Sequence, residues 1–140
     1  MSHQAILIPL FIQVALTFIL LFTLGPARVA AVEQGEVKLR DVALGQSAWP
    51  QRITQLGRSF DNQFQLPVLF YVLVGLAVVT AKVDAPLVWG AWAFVASRVA
   101  HAVVHVTSNA VRQRFYAYVV GAVVLVAMWI WFAARTLGGI

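Results

Sequence analysis

The chain has no cysteine, so it can form no disulfide, thiolate metal site or cysteine nucleophile. It has little charge: 11% of its 140 residues are Asp, Glu, Lys or Arg, against about 25% in an ordinary soluble domain. Acidic residues are the scarcest, five against ten basic ones, for a net charge of +5. Met1-Ser2-His3-Gln4 brings no Lys or Arg ahead of the first apolar run. That run is too long for the core of a secretory signal, so it is read as a retained helix. There is no internal repeat and no low-complexity tract. What fills the chain is apolar. Hydrophobic residues reach 61% and mean hydropathy is +0.84, which puts the membrane class first. The basic excess does not form a patch on a soluble domain, so no nucleic-acid partner is expected.

Four apolar runs stand out, at about residues 5–24, 60–81, 86–106 and 115–134. Each approaches the ~20 residues a helix needs to cross hydrocarbon about 30 Å thick. Lipid offers no partners to open backbone groups, and the runs show no alternation, so they are helices rather than strands. The expected fold is an all-α integral membrane protein, one domain over residues 1–140 built as a four-transmembrane-helix bundle. The first run should end at Gly25-Pro26. Residues 27–59 should then form a long polar connection punctuated by Gly35, Gly45 and Pro50. Asp84 is a candidate N-cap ahead of Pro86.

Basic residues set the expected orientation. Arg28, Lys38, Arg40, Arg52, Arg58, Arg112 and Arg114 fall on one side, and Lys82 and Arg135 on the other. The first and third connections are therefore expected in the cytoplasm, with a bacterial inner membrane as the location. Trp89, Trp92, Trp129 and Trp131 near the outer ends, with Phe115, Tyr116 and Tyr118 near the inner end of the last helix, read as interfacial belts.

Several polar residues do not suit lipid. Arg58, Asn62 and Gln65 are spaced i, i+4, i+7, one helical stripe. Arg98, His101 and His105 are spaced i, i+3, i+7, and if the helical phase continues Arg112 joins them. Both stripes occupy the inner halves of their helices and so share a depth. Arginines near an interface commonly snorkel to headgroups, but Arg98 lies deeper. A charge at the bilayer centre costs about 2.5–3.5 kcal/mol on insertion scales. The nearby carboxylate, Asp61, is one residue off its stripe and should point elsewhere. Excess buried positive charge calls for an anionic ligand. His101 and His105 could chelate a metal as an i, i+4 pair, but no third ligand is evident and the adjacent cations oppose one, so no metal is expected. Proton-coupled or cation-coupled transport would want an embedded carboxylate, which the first and fourth apolar runs lack.

These residues carry a resemblance. Arg58-Ser-Phe-Asp-Asn62-Gln-Phe-Gln65 resembles the RxxxNxxE signature of the MAPEG family, the membrane-associated proteins in eicosanoid and glutathione metabolism. Arg98-x2-His101-x3-His105-x6-Arg112 has the spacing of that family's R-x2-Y/H-x3-Y-x6-R series. The chain looks like a bacterial-type member. The resemblance implies a homotrimer with glutathione, as co-substrate, between subunits near the cytoplasmic face. It implies Arg58 and Arg98 on the carboxylates of glutathione, Asn62 and Gln65 on its backbone, and His101 and His105 where tyrosines stand in relatives. Arg112 takes the catalytic place, stabilising the thiolate. The implied activity is that of a glutathione-dependent transferase or peroxidase attacking a hydrophobic small-molecule substrate dissolved in membrane lipid. Three departures stand against it: Gln65 replaces the motif glutamate, Leu66 replaces a tyrosine of some members, and histidines replace both helix-three tyrosines. They keep open a non-catalytic ligand-binding or scaffold subunit that joins other membrane proteins in a larger assembly.

Overall fold

The computed structural model describes residues 2–44 and 48–139; Gly45 lies outside the described residues. Six helices follow in order: α1 (His3–Glu33), α2 (Leu39–Val42), α3 (Gln51–Asn62), α4 (Leu66–Val79), α5 (Ala85–Val106) and α6 (Val111–Leu137). Four stretches are long and apolar enough to cross a membrane: α1, the α3–α4 pair from Gln51 to Val79, α5 and α6. Large apolar side chains remain uncovered along α1 and α6, among them Phe11, Phe22, Val123 and Ile130. In water such contiguous exposure would be a liability; in a bilayer it is the lipid-facing surface. The protein is an all-α integral membrane protein.

The first apolar helix does not end at Gly25-Pro26. It runs on to Glu33, with Pro26 inside it. A proline ring normally clashes with the Cβ of the preceding residue; Gly25 has none. The true end is Gly35, at φ 76°. There Gly35 N donates to Val32 O and Glu36 N donates to Ala31 O, the paired bonds of a left-handed helix cap. Leu24, Ala31 and Val37 pack with Ile53 of α3 into a small apolar cluster, so the extended turn is buried on one face. Much of the expected long connection is thus helical.

The second apolar run is also divided. α3 and α4 meet at a break over residues 63–65. Pro67 explains it, because its ring opposes the carbonyl four residues back, that of Gln63. The chain tightens instead, with Gln63, Phe64 and Gln65 donating to Phe60 O, Asp61 O and Asn62 O. The break is pinned from α1: buried Gln13 Nε2 donates to Gln63 Oε1 at 2.7 Å, and Gln63 Nε2 donates to Ser59 O.

The main core joins α1, α4, α5 and α6 through Ile6, Phe70, Leu73, Leu87, Phe94 and Leu125. α5 and α6 approach closely at Gly121, where a Cβ would stand 2.5 Å from Ser97 Oγ and 3.7 Å from Arg98 Cδ. Small residues at such crossings are the usual device of membrane helices. At the end away from the basic loops, Asp84 caps α5 by accepting from Leu87 N and also receives Arg135 Nη1 at 2.7 Å and Trp131 Nε1 at 2.8 Å.

Candidate functional site

Asn62 at the end of α3 and His101 one turn above Arg98 on α5 bring the two polar stripes together. Asn62 Nδ2 lies 3.3 Å from both ring nitrogens of His101. Around them opens a cleft of about 360 Å³ lined by Arg58, Asp61, Asn62, Gln65, His101, His105 and Arg114. Five of the seven residues singled out from sequence therefore share one cleft wall. Gln65 reaches it although the helix breaks before it. Asn62, His101 and His105 are buried, while Arg58, Asp61 and Gln65 are exposed at the rim.

Arg98 lies behind this wall, 0% exposed. Its guanidinium carbon stands 5.6 Å from the centroid of the Tyr118 ring. Nε, Nη1 and Nη2 all lack a hydrogen-bond partner, as do buried Asn62 Oδ1 and His105 Nδ1. Among the described residues the ion pairs are Arg40–Asp41 and Arg135–Asp84, both away from this site. Among the described residues no carboxylate forms an ion pair with the site arginines. Tyr118, read from sequence as an interfacial belt residue, instead covers the buried guanidinium.

Two expectations are corrected. Asp61 does not point elsewhere; it lines the cleft. Arg112 is exposed and outside the cleft, and the basic residue of α6 that lines it is Arg114. The extrapolated phase fails because α5 ends at Val106 and the chain turns before α6 starts at Val111. In that turn Asn109 takes a left-handed conformation, φ 51°. Its Oδ1 accepts from Arg114 Nη1 at 2.6 Å. A polar residue tolerant of positive φ, five residues before an arginine, was the available signal. The partnership of Gln13 with Gln63 leaves one trace in the sequence, a lone glutamine inside an apolar run.

Among the described residues no three His, Cys, Asp or Glu side chains converge as metal ligands. The donors fit an organic anion better. Guanidinium forks match carboxylates, and the orphaned Asn62 Oδ1 can accept an amide N–H.

A membrane four-span bundle with a cationic, amide-bearing cleft near one face is the class that fold and site define. The MAPEG family matches residues 6–134, and the chain belongs to it. Members of this family use glutathione, and they are generally oligomeric. No curated protein and no solved structure matches the chain.

Proposed function

We propose that the protein is a membrane glutathione-dependent transferase or peroxidase acting on hydrophobic electrophiles that reach it through lipid. The observation that carries this reading is Arg98, fully buried with three unpartnered guanidinium nitrogens behind a cleft rimmed by Arg58 and Arg114. Leaving such a group unpaired inside a membrane bundle is costly, and a negatively charged ligand in the adjoining cleft lowers that cost. Arg58 meets a carboxylate of glutathione at the rim, and Arg98 acts on the ligand's negative charge from behind the wall; Asn62 and Gln65 serve its peptide groups. His101 and His105 stand along its length. Glutathione supplies the nucleophilic thiol, and a neighbouring guanidinium favours the thiolate. Arg112, on the exposed face of α6, takes that role only by facing a neighbouring subunit, the arrangement implied by a homotrimer. Both basic loops then lie in the cytoplasm, consistent with a bacterial inner membrane.

The assay is conjugation of glutathione to 1-chloro-2,4-dinitrobenzene by the purified protein in detergent. A carbon–sulfur bond replaces the carbon–chlorine bond and chloride leaves with its electron pair. Turnover that Arg112→Ala and Arg98→Gln abolish supports the reading; absence of both turnover and glutathione binding in the wild type overturns it. The second reading, a non-catalytic binding or scaffold subunit, is favoured by Gln65, His101 and His105, which take the place of the charged and phenolic groups of the motif. It predicts glutathione binding without turnover.

A further inference from the structure

We infer that Arg114, oriented by Asn109, is a ligand-binding residue that grips a carboxylate of the bound ligand and makes the cleft selective for ligands carrying more than one negative group. This inference rests on the glutathione reading and adds a residue that the family-like spacing does not contain. Arg114 is half-buried and lines the polar cleft with Arg58, Asn62, His101 and His105. It has no carboxylate partner among the described residues, and Asp61 on the same cleft makes no ion pair with it. The contact that orients it is Asn109 Oδ1 at 2.6 Å, a neutral acceptor. One guanidinium nitrogen is thus tied down while the positive charge stays available, which is how a fork is preorganised for an incoming carboxylate.

Charge balance in the cleft points the same way. Arg58 and Arg114 line it, Arg98 stands behind it, and Asp61 is its one acidic lining residue. Glutathione brings two carboxylates against one ammonium, so its bound thiol form lowers the surplus and its thiolate form brings the cleft close to neutrality, whereas the diester adds only positive charge. Arg114 also borders a second cavity of about 220 Å³, lined by His101, Val111, Phe115 and Tyr118. It stands where the polar cleft meets an aromatic one, well placed to fix the ligand's end of the boundary.

The test is titration calorimetry of the detergent-purified protein with glutathione and with glutathione diethyl ester, which lacks both carboxylates. Four proteins are compared: wild type, Arg114→Gln, Asn109→Gly and the double variant, with exposed Arg40→Gln as a control for net charge. Glycine tolerates the left-handed backbone, so Asn109→Gly removes only the side-chain acceptor. Arg114→Gln is expected to weaken glutathione about 10-fold to 100-fold, the range of a charge-assisted hydrogen bond, and to reduce the preference for glutathione over its ester. Asn109→Gly is expected to weaken glutathione less, with no added effect in the double variant; an added effect would make Asn109 structural and overturn its positioning role. Unchanged affinity and unchanged ester discrimination in Arg114→Gln overturn the inference and leave the glutathione reading standing. If Arg114→Gln does not fold, Asn109→Gly decides, and wild-type affinity there overturns the inference. A wild type that binds no glutathione overturns both.

Discussion

The guanidinium of Arg98 stands 5.6 Å over the ring of Tyr118, joining the most buried charge of the bundle to the last membrane helix. A desolvated cation–π contact contributes about 2 kcal/mol or more. Tyr118→Phe keeps the face of the ring and should leave thermal stability near wild type. Tyr118→Leu removes it and should lower the melting temperature clearly. Equal stability in both variants would show that the ring merely fills space.

Gly121 sets the distance between α5 and α6. Gly121→Ala should be destabilising by about 1–3 kcal/mol, the usual cost of overpacking. The atom it meets first is Ser97 Oγ, itself bonded to Phe94 O. Adding Ser97→Ala should recover part of the loss, measured as melting temperature in one detergent. No recovery would place the conflict elsewhere.

The break between α3 and α4 depends on a residue 50 positions away, Gln13. Gln13→Leu leaves Gln63 Oε1 buried without that donor, a loss of about 0.6–2 kcal/mol for a hydrogen bond inside a membrane bundle. Asn62 precedes the break and Gln65 is its last residue, so glutathione affinity should fall along with stability. Affinity that holds while stability falls would uncouple the break from the cleft.

At the opposite end, Asp84 accepts from Leu87 N, Trp131 Nε1 and Arg135 Nη1. Asp84→Ala should lower stability by about 0.5–2 kcal/mol through loss of the cap, and should leave glutathione affinity unchanged. A large loss of affinity would mean that the two ends of the bundle are coupled.

What could be read from sequence follows the range of the physics. Arg58 with Asn62, and His101 with His105, line the cleft because helical spacing is local and each pair sits within one uninterrupted helix. The stripe of α5 does not extend to Arg112, because helical phase is lost at the turn at Asn109. α1 runs past Pro26, where the proline alone signals an end, because Gly25 has no Cβ to oppose the ring. The partnership of Gln13 and Gln63, and the ring of Tyr118 over Arg98, are contacts between separate helices. No periodicity in either helix announces them; they depend on how the bundle packs.

The most direct test of the account is calorimetric binding of glutathione to the purified protein at low and high salt, for wild type and Arg98→Gln. The account predicts saturable binding by the wild type that weakens as salt rises, and loss of that binding in a variant that still melts cooperatively. Undiminished binding in Arg98→Gln, or a wild type that binds no glutathione at either salt concentration, would contradict it.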